Sequence, residues 1–81
     1  MAVILFFGRF SDLRDRLEID LPENVTDKAS LTAFLSEKIE GFGQIAALPD
    51  TRISVNMLVS MNEMAVGNSD EIAYMSALSG G

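Results

Sequence analysis

Neither cysteine nor histidine occurs anywhere in the 81 residues. Their absence removes disulfides, thiol nucleophiles, imidazole bases and the usual soft metal ligands, which closes most nucleophilic and acid–base mechanisms to the side chains of this chain. No metal site is expected. Positive charge is scarce as well, with six Lys and Arg against twelve Asp and Glu and a formal net charge of −6. That balance opposes nucleic-acid phosphates and anionic lipid headgroups, so neither a nucleic acid nor a membrane is an expected partner. Long apolar runs are missing too. The run AVILFF (Ala2–Phe7) is far shorter than the ~20 residues of a membrane helix. It has no preceding basic segment and is followed by Arg9 and Asp12 rather than a small-residue cleavage site, so it does not read as a secretory leader. The expected location is the cytoplasm.

What is present is apolar: 48% hydrophobic residues against 22% charged. Such a composition supplies a core and leaves apolar surface for a partner. A chain of this length forms one domain that buries about 60–70% of its unfolded surface, too little for a deep catalytic cavity.

Ala2–Phe7 reads as a central strand buried on both faces, with Ala2, Ile4 and Phe6 on one side and Val3, Leu5 and Phe7 on the other. Gly8 breaks it, and FSDLRDR (Phe10–Arg16) suits a short helical turn or a wide loop. In LEIDLP, Leu17, Ile19 and Leu21 alternate with Glu18 and Asp20 up to Pro22, the pattern of a half-exposed strand. Helical spacing appears once: Leu31, Phe34, Leu35 and Ile39, with Ser30 as N-cap and Gly41 as stop. Gly43–Asp50 reads as a loop. Ile53, Val55 and Met57 then alternate with Arg52, Ser54 and Asn56, Val59–Met61 forms a brief strand, Gly67-Asn68-Ser69 is a turn, and EIAYM puts Ile72 and Tyr74 opposite Ala73 and Met75.

The order strand, strand, helix, strand, short strand, strand predicts an α+β fold. The helix returns the chain across a mixed sheet so that the first and last strands lie side by side and parallel, the ubiquitin-like β-grasp layout. The helix stripe covers one sheet face and leaves the other partly bare. The expected division is a β-grasp domain over 1–75 and a flexible C-terminal tail over 76–81 that ends in Gly-Gly.

The segments VILFFGRF, ISVNMLVS and DEIAYMSALSGG resemble the small subunit of molybdopterin synthase, the MoaD-type sulfur carriers, whose members end on the same diglycine. From Val55 to Gly81 the resemblance runs without a gap, whereas Pro22–Asp50 matches in layout only. Four positions depart from the pattern: Ser69 stands where a glycine is frequent, Ser76 and Ala77 where two prolines are frequent, and Met75 where a second aromatic is common.

The resemblance implies that Gly81 is adenylated by an E1-like enzyme using ATP and becomes a thiocarboxylate, with sulfur drawn indirectly from a persulfide. It then enters the large synthase subunit and donates sulfur to a cyclic pyranopterin precursor in molybdenum cofactor biosynthesis. No cofactor is permanently bound, and the catalytic groups belong to the partner. Gly81 is then the reacting residue, Gly80 gives clearance, Leu78 and Ser79 line the channel, and the outward residues Phe7, Val59 and Met75 dock the partners. The chemistry suits the residues: glycine has no Cβ to obstruct a narrow site, and a terminal carboxylate becomes electrophilic once adenylated.

Other readings stand beside this one. A Ser-Gly-Gly end also fits a frayed terminus. Met57, Met61 and Met64 read as gap-fillers, and Asp70 and Glu71 as turn and surface charges, because adjacent strand residues face opposite ways. The alternatives are a sulfur carrier for thiamine thiazole synthesis and a ubiquitin-like interaction or modifier module without sulfur transfer.

Overall fold

The computed structural model describes residues 1–77. Five strands, β1 (Ala2–Phe6), β2 (Arg16–Ile19), β3 (Thr51–Val55), β4 (Leu58–Val59) and β5 (Glu71–Ser76), form one sheet in the order β2-β1-β5-β3-β4. β1 and β5 pair in parallel, from Val3↔Glu71 to Phe6↔Tyr74, while the other three pairings are antiparallel. The fold is therefore α+β, with a mixed sheet and one main helix, α1 (Lys28–Lys38).

Tertiary contacts adjust the local readings. β1 lies between two strands, yet Ala2, Ile4 and Phe6 are buried while Val3 and Leu5 are only half-buried. The strand is central in pairing but not covered on both faces, because α1 packs on one face alone. Leu31 and Leu35 of α1 and its C-cap Ile39 join Ala2, Ile4, Phe6, Val55, Ile72 and Tyr74 in the core. Phe34, the fourth apolar residue of the helical pattern, stays at the core margin, with the Lys38 ammonium 5.4 Å from its ring centre.

α1 starts one turn earlier than Ser30. Asp27 is the N-cap, and Ser30 closes a capping box: the Ser30 amide donates to Asp27 Oδ1 at 2.8 Å and the Asp27 amide donates to Ser30 Oγ at 3.1 Å. These bonds satisfy amides that a helix start leaves unpaired. The Ser30 amide, and after it the Ser30 hydroxyl, hold the Asp27 carboxyl below its usual range. Glu63 adds a second cap from outside the helix, accepting from the Lys28 amide at 2.9 Å and the Ala29 amide at 3.3 Å.

Two segments read as irregular carry core residues. Gly8–Asp12 forms a 3-10 turn that buries Phe10 completely. The expected loop at Gly43–Asp50 begins as a short helix, α2 (Phe42–Ala46), with Gly41 before it at φ 87° and Phe42 fully buried. Phe10, Phe42 and Tyr74 meet with ring centres 4.9–5.6 Å apart, and Phe6 packs edge-on to Phe42 at 6.2 Å. Such tilted and edge-on pairs are the favoured aromatic geometries.

The alternation in RISVNM stops at Val55. Asn56 and Met57 adopt positive φ, 51° and 71°, and turn the chain into β4, so Met57 is 88% exposed instead of lining a strand face. Met61 is exposed as well, and of the three methionines taken as gap-fillers Met64 alone packs against the core.

Candidate functional site

On the face opposite α1, the pleat and the register assemble a row across four strands. Leu5 pairs with Ala73, Ala73 with Ser54 and Ser54 with Val59. The small residues Ala73 and Ser54 form the floor, while Leu5, Phe7, Val59 and Met75 rise around it, enclosing a groove of about 310 Å³ that Met57 and Glu71 also line. Phe7 and Val59 are each 50% exposed, and Met75 is partly covered. The structure thus brings the three expected docking residues into one apolar concavity. Among the described residues its lining contains one ionisable side chain, that of Glu71.

The turn beyond the groove explains the asparagine that follows the strand valine. Asn56 lies in the left-handed region, which asparagine tolerates better than most residues. Its side-chain amide donates to Asp70 Oδ1 at 2.9 Å, while its Oδ1 accepts the Glu71 amide at 2.9 Å. Asp70 also accepts the Gly67 amide at 2.8 Å. Asp70 therefore closes a turn and Asn56 ties that turn to the start of β5.

At the other end of β5 the structure places Ser76, the first residue of the expected tail, in the strand. Ser76 is the last residue of β5, paired with Thr51 and 7% exposed, so it belongs to the folded body. The Ala77 amide donates to the Asp50 carbonyl at 2.7 Å and extends the ladder by one step. Gly8 lies against Ser76 with φ 60°; a Cβ there would stand 2.9 Å from Ser76 Cβ and Oγ. The Arg9 amide donates to Ser76 Oγ at 3.2 Å, and the Arg9 guanidinium pairs with the Asp50 carboxylate. The Arg9 hydrogen bond is the main cause holding the Asp50 carboxyl below its usual range. No single-sequence signal links Arg9 to Asp50, which are 41 positions apart. The four residues expected to react or thread a channel, Leu78, Ser79, Gly80 and Gly81, lie outside the described residues.

Inside the core, Tyr74 is fully buried, with its hydroxyl 2.8 Å from Thr32 Oγ1. Burial raises its pKa well above the ordinary phenol value, against the opposing effect of the Thr32 hydrogen bond. Its enclosure makes it a structural residue. Among the described residues no three Asp or Glu side chains are grouped to hold a metal ion, and no helix is long and apolar enough to cross a membrane. Set against protein-family models, curated proteins and solved structures, the chain matches none of them, so its own residues carry the functional argument.

Proposed function

We propose that the chain is a β-grasp sulfur carrier of the molybdopterin synthase small-subunit type, with Gly81 as the residue that carries sulfur. The observation that supports this most is the juxtaposition at the end of β5. The strand that runs toward LSGG is central and parallel to β1, and it ends beside an apolar groove lined by Phe7, Val59 and Met75. A groove lined mainly by apolar side chains is suited to grip a partner, and the diglycine is suited to enter a site that a Cβ would block.

In this reading the Gly81 carboxylate attacks the α-phosphate of ATP in the activating enzyme, and pyrophosphate leaves. Persulfide sulfur then attacks the acyl carbon and AMP departs. A second thiol splits the resulting acyl disulfide, leaving the thiocarboxylate on Gly81. Donation to the pterin precursor takes place in the large subunit and returns the carboxylate. With Ser76 and Ala77 held in the fold, residues 78–81 reach at most about 13–14 Å, so the partner's reactive centre must lie within that distance of Ala77 in the docked complex.

The test is the mass of the protein purified from its own cells. One oxygen replaced by sulfur, localised to Gly81 by fragmentation, is the expected finding. Localisation is required because oxidation of any of the five methionines gives the same nominal shift. A chain extended past Gly81, or recovered as an isopeptide on lysines without any sulfur, would refute the sulfur-carrier reading. Deleting Gly81 should abolish pterin conversion and leave the fold intact, and Gly80→Val should reduce turnover while docking persists.

A further inference from the structure

We infer that Arg9, Asp50 and Ser76 form a buckle around the end of β5 that fixes the backbone direction at Ala77, and that these three are positioning residues for the Gly81 reaction. The inference rests on the proposed function for its second half and on geometry alone for its first.

β5 reaches two residues beyond its last pair with β1. Its pairing with β1 ends at Phe6↔Tyr74, after which the Phe7 amide donates to the Tyr74 carbonyl at 2.9 Å and the first strand turns away at Gly8. No strand therefore flanks Ser76 on that side. The 3-10 turn does so instead: Gly8 packs against the serine, and the Arg9 amide donates to its hydroxyl oxygen. On the opposite side the Asp50 carbonyl accepts the Ala77 amide. The Arg9 and Asp50 side chains then join across the strand end, completing a ring of Arg9, Ser76, Ala77 and Asp50. The Asp50 side chain is 12% exposed, whereas that of Arg9 is 48% exposed, so the pair is partly open to water.

A pair so exposed contributes little to global stability. Its effect is local. Without it, the last step of the ladder rests on one backbone bond at a strand end, where local opening is easiest. With it, the direction of the backbone at Ala77 is fixed relative to Met75 and the groove. A partner that grips the groove then receives the following residues in one orientation, the condition under which a tethered reactant meets its target fastest.

The experiment compares the full chain with Arg9→Gln, Gly8→Ala and the charge-swapped double variant Arg9→Asp/Asp50→Arg. Amide exchange by NMR reads the buckle directly. Arg9→Gln should speed exchange at Ala77 by about tenfold or more while leaving Ile72, in the middle of β5, unchanged. The swap should restore the Ala77 rate, and Gly8→Ala should raise it from the other side of the strand. An unchanged Ala77 rate in Arg9→Gln overturns the buckle.

The second measurement is ATP-dependent pyrophosphate release with the activating enzyme and thiocarboxylate yield. Arg9→Gln should lower kcat by about 10- to 100-fold with KM unchanged, and the swap should recover it. Loss of Ala77 protection with normal kcat makes the buckle purely structural and overturns the positioning role. If wild-type protein gives no thiocarboxylate, the sulfur-carrier function itself fails, and the positioning role with it.

Discussion

Adjacent phenylalanines on one strand give a test in which the two faces of the sheet answer separately. Phe6 is 2% exposed with its ring edge-on to Phe42, and Phe7, one residue on, is 50% exposed at the groove. Phe6→Ala removes a ring from a closed core, a loss of about 3–5 kcal/mol. Small domains hold about 5–15 kcal/mol in total, so this is a large fraction of the whole. At about 4–8 °C per kcal/mol for a chain this short, the melting temperature should fall by at least about 12 °C. Phe7→Ala gives up roughly half of the 1.5–3 kcal/mol of a fully buried apolar side chain, or about 1 kcal/mol. Its melting shift should stay within about 8 °C. Thermal melts and urea titrations by circular dichroism measure both, with Phe6→Leu as a milder variant should Phe6→Ala fail to fold. Partner titration completes the test: Phe7→Ala should weaken binding by about 2 kcal/mol or more, as loss of a central interface anchor does. A Phe7→Ala shift equal to or larger than that of Phe6→Ala would show that the groove face is the core face and refute the assignment.

Two further outcomes are expected. Tyr74 is the chain's one tyrosine, so phenolate absorbance reports it alone. Its pKa is raised on folding, so its contribution to stability is complete below the unfolded phenol pKa of about 10 and is lost as pH rises beyond it. Ionisation should therefore coincide with alkaline unfolding monitored by circular dichroism; reversible ionisation with the fold retained would contradict the burial argument. Asn56→Ala loses both bonds to the Asp70–Glu71 turn and places alanine at φ 51°, which should destabilise the domain by about 1–3 kcal/mol in urea titrations. Asn56→Gly should recover part of that loss, because glycine removes the backbone strain but not the missing bonds.

Elements with a long or clean period were readable from the sequence. The α1 stripe and the opposed faces of EIAYM depend on spacing, and the structure buries Leu31, Leu35, Ile72 and Tyr74 accordingly. Short segments hid their core residues. Phe10 sits among polar neighbours in a single 3-10 turn, and Phe42, itself between two glycines, opens a five-residue helix, so neither segment is long enough to show a period. Met57 continued the strand alternation on paper, but the sign of φ at Asn56 and Met57 decides where a strand ends, and hydrophobic pattern does not encode it. The groove was legible by half. Parity aimed Phe7, Val59 and Met75 outward, whereas the depth between them comes from Ala73 and Ser54, whose alignment depends on the register of three strand pairs. The Arg9–Asp50 pair was invisible because nothing local joins two surface charges so far apart in the chain.

The parallel pairing of β1 with β5 has a bearing on how the molecule is made. β1 can meet β2 early, through a short local connection, but its other edge must wait for residues 71–76. During synthesis, at about 5–20 residues per second, the strand AVILF stands for several seconds with one edge open. Open apolar edges of this kind recruit other strands. A nascent chain halted before Glu71 is thus an aggregation-prone species and a natural client for a chaperone, whereas emergence of Glu71–Ser76 lets β5 close the sheet in one late, long-range step that sets the folding rate.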